Sequence, residues 1–117
     1  MTGLEDANAK FTPADKVPLG PCPDDSPHSE DWSYASVVGC LYYLCHNSRP
    51  DLSFAVNQCA RYTHNPKKTH SIAVKRIVKY LLGTCDKGLD LSPDKEFNLN
   101  MYADADFAGL WNSMAYE

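Results

Sequence analysis

Apolar residues recur at three- and four-residue steps along the middle of the chain, and the steps form one apolar stripe in each of three successive stretches. The stripes are Tyr34, Val37, Val38, Leu41, Tyr42 and Cys45, then Leu52, Ala55, Val56, Cys59 and Ala60, then Ala73, Val74, Ile77, Val78 and Leu81. Amphipathic helices of this kind can cover one another's apolar faces. The pattern therefore predicts a mainly α fold with a small three-helix unit over residues 33–83.

Proline, asparagine and glycine mark the predicted helix ends. Pro50 opens the second helix, and the third helix is predicted to begin at Pro66, with Asn65 as its cap. Gly83 is predicted to close that helix in the left-handed conformation. Gly39 lies inside the first predicted helix, where glycine costs about 1 kcal/mol relative to alanine, so we expect a close-packing reason for it.

The segments on either side of the three helices differ in character. Residues 1–32 hold five of the eight prolines and seven acids, which predicts an extended acidic leader that lies along a surface or is disordered. Residues 84–117 alternate apolar and polar positions at 88–91 and 97–102, which predicts a β-hairpin. Because two strands make no stable sheet alone, the hairpin is expected to open a truncated α/β domain and to promote self-association through its free edges.

Charge is divided unevenly along the chain. Residues 1–32 carry a net charge of −5, residues 33–80 carry +6 and residues 81–117 carry −5, which together give the overall −4. A stretch of 48 residues with one acid predicts a polyanionic partner, since a merely solvated surface usually mixes signs. The candidate contacts on the third helix are Lys68, Lys75, Arg76 and Lys79. A solvated helix face is the alternative interpretation.

Five cysteines, none in a C-x-x-C pair, favour free thiols in a reducing compartment, and Cys40, Cys45 and Cys59 fall within apolar helical patterns that predict burial. The sequence has no signal peptide and no apolar run long enough to span a bilayer. We therefore expect an intracellular protein of cytoplasm or nucleus that has no membrane partner.

Asp104 and Asp106 follow the second predicted strand. Aspartate is common at strand ends and in turns, so a turn is the simplest interpretation of the pair. The alternative is an incomplete Mg²⁺ site, because carboxylates are the hard oxygen ligands that Mg²⁺ needs. Such a site requires further acids from other elements.

Five ordered segments of the chain resemble motifs of the Pol polyprotein of copia-type long-terminal-repeat retrotransposons. The motifs are S-V-V-G-x-L-x-Y-L at 36–44, R-P-D-I-x-x-A-V at 49–56 with Leu52 at the isoleucine position, N-P-x-x-x-H at 65–70, K-R-I-x-x-Y-L-x-G-T at 75–84, and Y-x-D-A-D-[FW]-A-G at 102–109. Together they cover about 80 residues.

The resemblance implies a segment that includes the reverse-transcriptase thumb and connection and the first strand of ribonuclease H. Asp104 matches the first metal-binding acid of the ribonuclease H domain, and Asp106 lies two residues on. The resemblance implies Mg²⁺ as a cofactor of the intact parent enzyme only. Because the other catalytic acids of the family are not in this sequence, we expect a truncated reading frame without catalysis of its own.

Three functions remain open from the sequence. The first is weak, sequence-independent binding of an RNA–DNA or DNA duplex through the basic helix. The second is a subunit that supplies one acidic ligand to a ribonuclease H-type nuclease. The third is a small helical module that binds an acidic protein.

Overall fold

Three α-helices follow one another in the computed structural model, which describes residues 8–90, 92 and 100–103 of the chain. The elements are α1 (Tyr34–Asn47), a 3-10 turn (Pro50–Leu52), α2 (Ser53–Ala60) and α3 (Lys68–Leu82). α1 and α3 both pack against α2, and α1 also contacts α3. The predicted mainly α arrangement of three helices is confirmed.

The core is built from the predicted apolar stripes. Leu52, Val56 and Val74 are fully buried where the three helices meet, and the side chains of α1 cover them. The Tyr34 hydroxyl reaches across this core and donates a hydrogen bond to the Cys59 carbonyl at 2.9 Å. Tyr42 lies at the edge of the α1 stripe and is about half exposed, so the first stripe is narrower than predicted.

All five cysteines are free thiols. Cys45 and Cys59 are buried as predicted, and burial raises the pKa of the Cys59 thiol to about 11, so this thiol stays protonated. The prediction of burial is wrong for Cys40, which is exposed on the solvent side of α1.

The leader, defined from here on as residues 8–32, lies across α2 and α3. Its second half is fixed by backbone pairing, because residues 26 and 28 exchange hydrogen bonds with residues 66 and 68 around an antiparallel bridge between Pro27 and Lys67. Leu19 adds two contacts: its N–H donates to the Gln58 side chain at 3.1 Å, and its carbonyl accepts from the Tyr62 hydroxyl at 3.1 Å.

The start of α3 differs from the prediction of Pro66 as first residue and Asn65 as cap. The helix begins at Lys68, and Lys67 is extended, with φ −106° and ψ 170°. The leader explains the shift because Ser26 accepts from the Lys68 N–H at 2.9 Å. The Pro66 carbonyl accepts from the His28 N–H of the leader at 2.9 Å, and the Asn65 N–H donates to the Tyr62 carbonyl at 3.3 Å.

Both glycine predictions are wrong. Gly83 ends α3 in the right-handed region, with φ −80° and ψ −6°. A Cβ there would lie 2.6 Å from the Cβ of Ala9, so the glycine allows the leader to approach the helix end. Gly39 has nothing within 4 Å of an added Cβ, so close packing does not account for it.

The predicted β-hairpin and the ribonuclease H-like start fall largely outside the described residues, which omit 91, 93–99 and 104–117. The described parts, residues 88–90 and 100–102, are not in strands. None of the helices in the described part of the chain is long and apolar enough to cross a membrane.

Candidate nucleic-acid interface

The four predicted cations share one side of α3, called the basic face below. At about 100° per residue, Lys68, Lys75 and Lys79 project in nearly the same direction, and Arg76 flanks them. Lys68 and Lys79 are eleven positions apart, a distance of about 16 Å along the helix axis. α3 therefore carries the four side chains on one side, as the helical periodicity predicts.

Lys75 is already engaged by the leader. Its Nζ forms an ion pair with Oε2 of Glu30, and the same oxygen accepts from the Trp32 indole N–H at 2.7 Å. Both side chains of the ion pair are about one-third exposed. The hydrogen bond from Lys75 is the largest cause of a lowered pKa for Glu30, and the hydrogen bond from Trp32 is the second. The Glu30 carboxyl group is therefore ionised at neutral pH.

Arg76 is held by the first half of the leader. Its Nε donates to the Thr12 carbonyl at 3.2 Å, and one terminal nitrogen donates to the Thr12 hydroxyl at 2.9 Å. The other terminal nitrogen lies 3.3 Å from a carboxylate oxygen of Asp15. Asp15 is largely exposed, so this ion pair is open to water and salt.

Asp25 of the leader lies at the amino end of α3, near Lys68. One carboxylate oxygen accepts from the Thr69 N–H at 2.6 Å and from its hydroxyl at 2.7 Å. These hydrogen bonds are the main cause of a lowered pKa for Asp25, and the charge of Lys68 acts in the same direction. A carboxylate in this place also interacts favourably with the helix dipole.

Lys79 lies at the far end of the basic face, where its backbone carbonyl accepts from the Lys10 N–H at 3.3 Å. Between the leader and the helices runs a groove of about 730 Å³. Its floor includes Gln58 and Ile77, and its rim includes Lys10 and Lys79. The first half of the leader therefore spans the groove without filling it.

An ion pair that is buried at Arg49 and partly exposed at Asp51 ties the end of α3 to the turn after α1. Arg49, which is 7% exposed, makes two hydrogen bonds to the carboxylate of Asp51 at 3.0 and 2.9 Å. It also donates to the carbonyl and the hydroxyl of Thr84, and the Tyr80 hydroxyl donates to Asp51 at 2.8 Å. The hydrogen bonds between Arg49 and Asp51 lower the pKa of the Asp51 carboxyl group and raise the pKa of the Arg49 guanidinium group. Both groups therefore stay charged.

Two histidines join the leader to α3. His70 is fully buried, its Nδ1 accepts from the Lys67 N–H at 3.0 Å, and its Nε2 contacts the Gly20 carbonyl at 2.9 Å. These partners fix the neutral tautomer with the proton on Nε2. His28 similarly bridges the Ser71 hydroxyl and the Trp32 carbonyl.

The predicted metal ligands Asp104 and Asp106 lie outside the described residues. Within the described ranges no group of three or more histidine, cysteine, aspartate or glutamate side chains is arranged to hold a metal ion. The described residues therefore form no candidate Mg²⁺ site.

The cations were predicted from the sequence, but their partners in the leader, Thr12, Asp15 and Glu30, were not. The signal for them was the acidic charge block directly preceding the basic one. Arg49 was recognised only as the first residue of the R-P-D-I-x-x-A-V motif, and its contacts were not predicted.

Curated proteins similar to this chain include three Pol polyproteins of plant retrotransposons. The chain is 46% identical over 76 residues to the Pol polyprotein from transposon RE2 of Arabidopsis thaliana, with 65% of this chain and 5% of that protein covered. It is 39% identical over 98 residues to the Pol polyprotein from transposon RE1 of Arabidopsis thaliana, with 80% of this chain and 7% of that protein covered. It is 42% identical over 76 residues to the Pol polyprotein from transposon TNT 1-94 of Nicotiana tabacum, with 65% of this chain and 6% of that protein covered.

No protein-family model and no solved structure matches the chain. The aligned segment is a small part of each of these polyproteins, which are many times longer. The residue identities, spread over most of the chain, show that it is homologous to a segment of the Pol polyproteins of plant copia-type retrotransposons.

Proposed function

We propose that this chain binds nucleic-acid duplexes through the basic face of α3, as part of a reverse-transcriptase thumb and connection that holds a primer–template. The observation that carries the proposal is the shared direction of Lys68, Lys75 and Lys79 on one helix, flanked by Arg76. The chain has no acid between Asp51 and Asp86, so no carboxylate of the helical unit itself opposes a polyanion there.

The spacing of the cations suits a phosphate backbone. Phosphates follow one another at intervals shorter than the length of the basic face, so several cations can each meet one. Lysine and arginine contacts to phosphate position a duplex without reading its sequence. The expected partner is an RNA–DNA or DNA duplex, bound weakly and with strong salt dependence.

The proposed role is binding without catalysis by this chain alone. Metal-dependent phosphodiester chemistry needs several carboxylates around the ion. The acids that the resemblance points to, Asp104 and Asp106, are one pair that lies two positions apart in the sequence. Any Mg²⁺-dependent activity is therefore proposed for an intact parent enzyme.

The test is a fluorescence-anisotropy titration of a labelled RNA–DNA hybrid at several salt concentrations. If three phosphate contacts form, the logarithm of affinity should fall against the logarithm of salt with a slope of about −3. The variant K75Q/R76Q/K79Q should flatten this slope and weaken binding to all sequences alike. A control, R61Q/K87Q, removes charge from exposed positions outside α3 and the leader and should keep most of the slope.

Equal slopes for these two variants would contradict the proposal. Failure of every protein to bind the hybrid at low salt would favour the protein-interaction module instead. As a further arm, the hybrid should stay intact when incubated with the wild type and Mg²⁺. Cleavage that D104N abolishes would favour the nuclease alternative.

A further inference from the structure

The leader places a carboxylate next to three of the four cations of the basic face. Asp25 lies near Lys68, Glu30 is paired with Lys75, and Asp15 is paired with Arg76. Carboxylates paired with Lys75 and Arg76 take up positions that phosphates of a bound duplex would otherwise take. We infer that the leader is an internal competitor of the duplex, which must release Lys75 and Arg76 before these cations can bind phosphate.

This inference rests on the proposed function, because it concerns access to the same basic face. The two halves of the leader differ in how they are held. Residues 19–32 are anchored by the bridge at Pro27, by hydrogen bonds of Leu19 and by the buried His70. Residues 8–18, called the strap below, attach through the partly exposed contacts of Arg76 and one backbone hydrogen bond from Lys10.

The strap is held loosely enough to move. Its ion pair between Asp15 and Arg76 is exposed on the aspartate side, and pairs of that kind add little to stability. The groove beneath it is not filled by side chains, and Phe11 and Val17 of the strap point outward, with exposures of 98% and 78%. Ala14 is partly buried against the core, but the two large apolar side chains of the strap, Phe11 and Val17, have no buried surface to lose on opening that compares with it.

The packing under the leader is also incomplete. Gln58 is 6% exposed, and its Oε1 accepts from the Leu19 N–H, but its Nε2 has no hydrogen-bond partner among the described residues. An unsatisfied buried donor disfavours the state that buries it. Its place at the floor of the groove means that movement of the strap would admit water to it.

The experiment compares two double variants in the same anisotropy titration. D15N/E30Q removes the two competing charges but keeps side chains of equal size that still accept hydrogen bonds. D24N/D86N changes the net charge by the same amount at exposed positions for which no ion pair is found within the described residues. D15N/E30Q should bind the hybrid about 3- to 30-fold more tightly than the wild type, and D24N/D86N about twofold or less.

Adding K75Q and R76Q to D15N/E30Q should abolish the gain, because the released cations are its source. Equal affinities of D15N/E30Q and D24N/D86N would overturn the inference while leaving the proposed function intact, provided that K75Q/R76Q/K79Q still weakens binding. If no variant binds the hybrid, the proposed function fails and the inference fails with it.

A second measurement follows the strap itself. Hydrogen–deuterium exchange of residues 8–18 should rise when the wild type is saturated with the hybrid, because displacement frees the Lys10 N–H from the carbonyl of Lys79. Exchange of residues 20–28, which belong to the anchored half, should change little. Unchanged or slower exchange of the strap on binding would show that the duplex does not displace it.

Discussion

At the scale of single residues, Arg49 stands out as a buried charged side chain in the described part of the protein. Its guanidinium group is buried and makes hydrogen bonds to Asp51 and to both oxygens of Thr84. It also lies over the ring of Tyr80, at 5.6 Å from the centroid. The planar arrangement of its donors matches these acceptors, and a lysine ammonium cannot reach them all at once.

Arg49→Lys is therefore expected to lower the free energy of unfolding by about 1–3 kcal/mol, through lost hydrogen bonds to a charged group. Urea denaturation followed by circular dichroism measures the change. Arg61→Lys is the matched control, because Arg61 is exposed, and it should stay within about 0.5 kcal/mol of the wild type. Equal effects at the two positions would mean that the buried network contributes no more than a surface arginine does.

At the scale of the helices, two glycines show why local preference alone does not explain helix ends. Gly39 faces open space in the middle of α1, whereas Gly83 touches the strap at the end of α3. Neither glycine has a positive φ, so the backbone conformation at both positions is open to alanine. Only the neighbours distinguish the two positions.

The same substitution should therefore have opposite effects. Gly39→Ala should raise the free energy of unfolding by about 0.5–1 kcal/mol, because alanine is the better helix former and meets no neighbour. Gly83→Ala should displace the strap, because the new Cβ would collide with Ala9. Urea denaturation measures the first effect, and hydrogen–deuterium exchange of residues 8–18 measures the second. Unchanged exchange in Gly83→Ala would show that the strap does not depend on this close approach.

The periodic apolar positions were enough to predict all three helices, because each helix buries one continuous stripe. The start of α3 could not be predicted in the same way. Its first N–H groups are satisfied by Ser26 and Asp25, which lie more than 40 residues earlier in the chain. Local signals at Asn65 and Pro66 suggested a different cap, and the tertiary contact overrode them.

At the scale of the whole molecule, the cations of the candidate site were predictable from the sequence, but their partners in the leader were not. The position of Lys75 and Arg76 on one side of a helix follows from helical periodicity. Their ion pairs with Glu30 and Asp15 depend on how the leader crosses α3, and no local pattern encodes that path. The opposite charges of the two neighbouring blocks were the available indication.

The leader should detach in acid. Hydrogen bonds lower the pKa values of Glu30 and Asp25 below their ordinary 4.5 and 3.8. A carboxyl group with a lowered pKa stabilises the folded form above its ordinary value, and the contribution is lost as the pH falls through the folded-state pKa. Attachment of the leader should thus be constant above about pH 5 and weaken steadily below about pH 4.

Trp32 fluorescence can follow this change in a Trp111→Phe background, since the indole donates a hydrogen bond to Glu30. Glu30→Gln is the control and should remove the part of the transition that arises from this carboxylate. A Trp32 signal that stays constant until the helices melt would contradict the expected release of the leader.

The contacts of the strap also set an order of events during folding. Thr12 and Arg76 are separated by 64 residues, so a ribosome that adds about 5–20 residues per second makes the strap roughly 3–13 s before its partner. Helices rich in local contacts fold much faster than that. We therefore expect the strap to dock last, onto helices that are already formed, and changes in its attachment should alter its rate of release without slowing the folding of the helical unit.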